Sequence, residues 1–250
     1  MINEHSELTF FQGMGFVEKE IEYTIERDSL YRLILHDLKN PVLGIYSLAR
    51  HLQEQPNTDV KKMHQYNGMI LSASESLLSL IDSFQIFLHA ETQDERNTFK
   101  YTNLNGLISS AIASVCANAE RKNIIIHCNL SSFDTFYGSE FFTSVILRNL
   151  LTNAIKFTPK DGSILVTTSV RGAFFEVSIK DSGIGMTQTD IGKLFNLKKI
   201  FTRLGTEKEK GTGLGLFFCR EFIYKQNGTF SIESVPGLGS NFIFTLPLIS

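Results

Sequence analysis

Asn149-Leu150-Leu151-Thr152-Asn153-Ala154-Ile155-Lys156-Phe157 decides how the second half of the chain folds and what that half offers to a ligand. At helical spacing Asn149, Asn153 and Lys156 lie four and three residues apart, so they share one face. Leu147, Leu150, Leu151 and Ala154 fall on the opposite side as an apolar stripe that packs inward. Two amides and a lysine on one face suit a polyphosphate with its metal. An amide oxygen is a neutral hard ligand for Mg²⁺, and an ammonium neutralises phosphate charge. Taken alone, the same face reads more simply as a solvated helix surface.

Outward from this helix the sequence alternates between two periods. Leu104 to Arg121, Glu140 to Phe157 and Thr212 to Gln226 read as helices. Ile124 to Ile126, Ile164 to Val170, Phe174 to Ile179, Thr229 to Glu233 and Asn241 to Leu246 read as strands. The fold class is α+β, with one mixed sheet covered on one face by helices, although the periods leave strand order open.

Three glycine-bearing segments punctuate these elements. Asp181-Ser182-Gly183-Ile184-Gly185-Met186 follows an apolar strand. A carboxylate there is an acceptor suited to an exocyclic amine, and Gly183 and Gly185 let the backbone come close to a flat ligand. Gly211-Thr212-Gly213-Leu214-Gly215-Leu216 stands before a helix, where free amide groups favour anionic phosphate. Its spacing is not that of a dinucleotide fold, and no GxxxxGK[ST] loop is present. Pro236-Gly237-Leu238-Gly239-Ser240 separates two strands and by itself reads as a hairpin turn.

In this order the four segments resemble the N, G1, G2 and G3 boxes of the ATP-binding domain shared by histidine kinases, Hsp90-type chaperones, type II topoisomerases and MutL proteins. The resemblance covers Tyr101 to the C-terminus. It implies ATP with Mg²⁺ as ligand, Asn153 on the metal, Lys156 on phosphate and Asp181 on adenine. The same domain places Asn149, Phe157, Gly183, Gly185, the run Gly211, Thr212, Gly213, Leu214, Gly215, and Ser240 around the nucleotide. Phe157 stands where many members carry tyrosine or histidine, and Ser240 replaces the more usual threonine. The long, polar and basic segment Phe195 to Lys210 reads as a lid, with Lys198, Lys199 and Arg203 as phosphate candidates. Phe195 matches the first aromatic of the family's F box, but the second is displaced to Phe201.

The first half reads differently. From Glu18 to His51, apolar residues including Leu38, Val42, Ile45 and Leu48 recur at three- to five-residue steps, and a second helical run covers Val60 to Ala90. Pro56-Asn57-Thr58-Asp59 breaks the chain between them. Two such helices form an antiparallel hairpin with too little partner surface to bury its stripe, so it should pair with a second copy as a dimeric four-helix bundle. His36-Asp37-Leu38-Lys39-Asn40-Pro41 lies on the first helix. Asp37 is placed to hold the Nδ1 proton of His36, leaving Nε2 as nucleophile, and Pro41 removes a helix hydrogen bond.

This hexapeptide closely resembles the H box of the dimerisation and phosphotransfer domain of histidine kinases. The resemblance implies autophosphorylation of His36, phosphoryl transfer to an aspartate of a response-regulator receiver domain, and a role for Asn40 in dephosphorylating that partner. The domains expected are an N-terminal segment over 1–17, which could be the remnant of a sensory module, the phosphotransfer hairpin over 18–92, and a mixed-sheet α/β sandwich that binds ATP over 97–250. An ATP-gated binding module would share the four boxes without needing His36, and a degenerate scaffold would not need the intact boxes.

Bulk properties agree with a soluble protein. Of 250 residues, 42% are hydrophobic and 20% charged, and the net charge of −2 gives no support for a nucleic-acid surface. No segment reaches the roughly 20 apolar residues needed to span a bilayer. Cys116, Cys128 and Cys219 lack metal or redox spacing, so free thiols and a cytoplasmic setting are expected.

Overall fold

The computed structural model describes residues 38–55, 59–92, 99–194, 202–207, 209 and 213–248. These fall into two units that part between Ile81 and Asp82. His36, Asp37, the segment 1–17, Pro56 to Thr58 and most of Phe195 to Thr212 lie outside the described residues.

The first unit holds two helices, α1 (residues 38–54) and most of α2 (Val60–Thr92). Helix α1 runs through Pro41, and its half-buried positions Leu38, Pro41, Ile45, Leu48 and Leu52 repeat at helical spacing. Tyr66 of α2 meets His51 of α1 ring edge to ring face at 5.3 Å, so the two helices form the expected hairpin. Much apolar surface stays uncovered, including Tyr46 at 62%, Leu71 at 60% and Leu78 at 61% exposure. Among the described residues no helix is long and apolar enough to cross a membrane.

The second unit contains β1 (Phe99–Asn103), α3 (Leu104–Arg121), β2 (Ile125–Asn129), β3 (Thr135–Ser139), α4 (Glu140–Phe157), β4 (Ser163–Arg171), β5 (Phe174–Asp181), α5 (Gln188–Lys193), α6 (Gly215–Lys225), β6 (Phe230–Val235) and β7 (Gly239–Pro247). Five strands form one mixed sheet in the order β2-β4-β5-β7-β6, with β2 parallel to β4 and the other pairs antiparallel; β1 and β3 make a separate antiparallel pair. Alternate residues of the three central strands (Ile164 and Val166, Val177 and Ile179, Phe242 and Phe244) are buried on one face. That burial pattern is the mark of a sheet covered on one side. The core is completed by Leu147, Leu150, Leu151 and Ala154 of α4, all fully buried, and by Phe142 of α4 stacked on Phe222 of α6 at 4.8 Å.

Local chemistry fixes the helix starts. Asn103 caps α3 by accepting from the Gly106 amide at 2.6 Å, and Ser139 caps α4 by accepting from Phe142 at 3.3 Å. Both helices begin and end where the sequence pattern places them. Strands β4 to β7 differ by one or two residues at their ends, and two shifts have a local cause. Helix α6 starts at Gly215 rather than Thr212, because Gly213 takes a φ of +77° that no helix continues. Strand β2 starts one residue late. The Ile124 amide still donates to Ala119 of α3 at 2.9 Å, and Ile124 is buried while Ile125 is exposed.

Candidate active site

The C-terminal end of α4, the loop after β5, the start of α6 and the β6–β7 hairpin converge. Asn149, Asn153 and Lys156 lie half-buried along one side of α4, opposite its buried leucines, and Phe157 closes the helix. The Phe157 carbonyl accepts from the Ile184 amide at 3.1 Å, which ties α4 to the loop after β5. The Lys156 ammonium sits 4.9 Å from the centre of the Phe157 ring. Burial lowers the Lys156 pKa, with Glu209 opposing the shift. That is an environment in which an anionic ligand is a welcome counter-charge.

Asp181 ends β5 and is 3% exposed. Its Oδ1 accepts from the Gly183 amide at 2.8 Å and from the Ser240 amide at 3.1 Å. Burial raises its pKa above the ordinary carboxylate value, and the two backbone donors hold that rise back. Both donors bind one oxygen, so the carboxylate is locked in orientation while Oδ2 has no hydrogen bond to the described residues. A buried acceptor of fixed orientation is what recognition of an amine requires.

The loop Asp181 to Met186 and the hairpin are built into each other. The Gly237 amide donates to the Ile184 carbonyl at 2.8 Å, and the Met186 amide donates to Ser234 Oγ at 2.8 Å. Ser234 also donates to the Gly239 carbonyl or shares a hydrogen bond with Ser240 Oγ, each at 2.9 Å. Pro236 to Leu238 is therefore a hairpin tip, as its isolated reading suggests, while Gly239 and Ser240 serve Asp181. Gly239 has a φ of +90°, and a Cβ there would run into the Asp181 carbonyl. Gly239→Ala should cost roughly 2 kcal/mol or more of stability by combining a left-handed backbone with a collision. Thermal unfolding checks this, and an unchanged melting curve would show that the hairpin entry tolerates a side chain.

The remaining site residues take varied places. Gly183 is buried, and Gly185, at φ +64°, packs against the Val235 carbonyl. Leu214 is buried and N-caps α6. Gly215 faces Asn149, since a Cβ on Gly215 would stand 3.0 Å from Asn149 Oδ1. Arg203 is exposed, with one guanidinium nitrogen 3.3 Å from the Gly185 carbonyl. Gly211, Thr212, Lys198 and Lys199 fall outside the described residues, as do His36 and Asp37; Asn40 is exposed on α1. The donor set fits a hard cation, for Asn149 and Asn153 bring neutral amide oxygens to one side of α4, and the cradle at Gly215 is kept free of a side chain.

A family profile described as histidine kinase-, DNA gyrase B-, and HSP90-like ATPase matches residues 138–250, which hold every described element of this site. Over 239 residues the chain is 28% identical to the sensor protein EvgS of Escherichia coli (strain K12), covering 92% of this chain and 20% of that relative. The catalytic domain of histidine kinase ThkA superposes with a TM-score of 0.54 at 28% identity, covering 61% of this chain and 99% of that domain. The chain is thus similar to sensor histidine kinases, and residues 138–250 match the broader ATPase family. Histidine kinase ThkA in complex with response regulator protein TrrA shares the fold more widely, with a TM-score of 0.67 at 21% identity over 91% of this chain and 66% of that one. The chain spans a fifth of the length of this sensor-protein relative.

Two residues of the second unit escape the sequence pattern. Ser234 carries no motif, yet it braces both the loop after β5 and the β6–β7 hairpin. Lys122 follows Glu120 and Arg121 and carries no motif, yet it is fully buried.

Proposed function

We propose that the chain is an ATP-dependent protein histidine kinase that phosphorylates its own His36 and passes the phosphoryl group to an aspartate of a response-regulator receiver domain. The observation that carries this reading is the buried Asp181 carboxylate, locked by two backbone amides beside the polar face of α4. Asp181 reads the adenine amine, Phe157 contacts the purine, and Lys156 with the amides around Gly213 to Gly215 neutralises phosphate. Asn153, with Asn149 beside it, would hold Mg²⁺. When bound, that ion neutralises charge on the phosphate oxygens.

In the first step the lone pair of His36 Nε2 forms a bond to the γ-phosphorus. The bond to the β–γ bridging oxygen breaks, and ADP leaves with the electron pair. Asp37 keeps the Nδ1 proton in place, and Lys156 spreads charge in a loose transition state. In the second step an aspartate oxygen takes the phosphoryl group and the nitrogen regains its electron pair. Asn40 is suited to orient water for removing phosphate from the regulator. The exposed apolar residues of α1 and α2 support a homodimer joined through the hairpin. The use of ATP supports a cytoplasmic setting, and Cys116, Cys128 and Cys219, all free, agree with it.

Phosphotransfer is tested by labelling the full chain with γ-³²P-ATP and adding isolated receiver domains one at a time. Label should move to one receiver in preference to the others, in the alkali-labile form of an acyl phosphate. Labelled chain that no receiver can discharge would refute the second step.

A further inference from the structure

Lys122, just past the C-terminus of α3, has no part in the chemistry above, yet its ammonium makes four close polar contacts. The side chain is 0% exposed. Nζ lies 2.8 Å from the Ile155 carbonyl, 3.1 Å from the Lys156 carbonyl, 2.7 Å from Thr206 Oγ1 and 2.9 Å from Glu209 Oε1. Three N–H groups thus serve four acceptors, with the Lys156 carbonyl the longest. A buried ammonium is tolerable only when it is so satisfied. Two acceptors are last-turn carbonyls of α4, where a cation also meets the negative end of the helix dipole.

The other two acceptors belong to Thr206 and Glu209. The Thr206 amide donates to the Lys156 carbonyl at 3.0 Å, and its hydroxyl donates to the Thr158 carbonyl at 3.0 Å. The Gly205 amide donates to the Glu209 carbonyl at 2.9 Å, and the Glu207 amide donates to Glu209 Oε2 at 2.7 Å. Burial pushes the Glu209 carboxyl up, but the hydrogen bond from Lys122 leads a set of opposing contacts that bring it below its ordinary value. Lys156 is thus clasped at its own carbonyl from both sides, by Nζ of Lys122 and by the amide of Thr206.

We propose that Lys122 is a positioning residue for nucleotide phosphates, because its buried ammonium clamps the last turn of α4 to Thr206 and Glu209 and thereby sets where Lys156 presents its charge. The inference rests on the nucleotide reading of the site. It predicts a division of labour, in which Asp181, held by a separate set of bonds, governs the base and the Lys122 clamp governs the phosphates.

The test compares ATP with adenosine by titration calorimetry on the full chain carrying Lys122→Met, Thr206→Val or Glu209→Gln. All three changes should lower the ratio of ATP to adenosine affinity, by about tenfold for Lys122→Met and Glu209→Gln, the scale on which misplaced supporting residues act. Adenosine affinity should stay within about twofold of wild type. Simple charge bookkeeping gives Glu209→Gln the opposite sign, since removing a carboxylate near a polyphosphate should tighten ATP. If Lys122→Met fails to fold, Thr206→Val and Glu209→Gln decide by the same ratio. A ratio unchanged in folded variants, or ATP and adenosine weakened equally, overturns the proposal. A wild-type chain that binds neither compound overturns the nucleotide reading itself, and the inference with it.

Discussion

Replacing Asp181 by Asn should weaken ATP binding about 100-fold, the loss of one charge-assisted hydrogen bond, while leaving the fold no less stable. The Asn oxygen still accepts from the Gly183 and Ser240 amides, so the loop and hairpin keep their lock. Its NH₂ then occupies the place of Oδ2 and meets the adenine amine donor with another donor. Removing a buried charge relieves the cost that raises the Asp181 pKa, a common trade of stability against function.

The pH dependences separate the two effects. A raised folded-state pKa means that the stability contributed by this group is present at low pH and is lost as pH rises through that pKa. ATP affinity runs the other way, because only the ionised carboxylate accepts on both oxygens, so it falls as pH drops through the same value. The part of both dependences that this carboxyl contributes should vanish in Asp181→Asn. Calorimetric titration between pH 4 and 8 checks this. ATP affinity within about threefold of wild type in the variant would remove Asp181 from the base pocket.

His36→Gln should abolish phosphorylation of the chain and leave ATP affinity unchanged within about twofold, since every residue proposed to touch the nucleotide lies in the second unit. Neutral imidazole carries a nitrogen lone pair outside the aromatic system, available near neutral pH. The carboxamide of Gln delocalises its nitrogen lone pair and cannot attack phosphorus. Filter-bound, acid-labile label from γ-³²P-ATP should therefore drop to the level of a blank without enzyme. Persistent label would place the acceptor elsewhere, and a parallel loss of ATP binding would show that position 36 supports the nucleotide domain.

Residues whose role is local were legible in the sequence. Helices α3 and α4 were readable to the residue, because their apolar period and their Asn103 and Ser139 caps act within one turn. The five-strand sheet was readable as strands but not as an order, since pairing joins residues far apart in sequence. β1 and β3 were missed for the same reason. Phe-Lys-Tyr-Thr-Asn and Thr-Phe-Tyr-Gly-Ser carry no clean alternation, and each is a strand through its partner. Helix α5, six residues long and capped by Thr187, is too short for a period to show. Within the site, Asp181 and its glycines announce themselves by composition. Lys122 does not, for a lysine is read as solvated until its burial is seen.

Everything proposed for this chain turns on where the γ-phosphoryl group of ATP goes. Incubating the full chain with Mg-ATP, quenching in alkali, digesting and mapping phosphate by mass spectrometry answers that directly. The expected result is one alkali-stable, acid-labile phosphate on the peptide that carries His36, lost in His36→Gln. Alkali-stable phosphate on a serine or threonine, or ADP and inorganic phosphate released with no phosphorylated peptide, would contradict it.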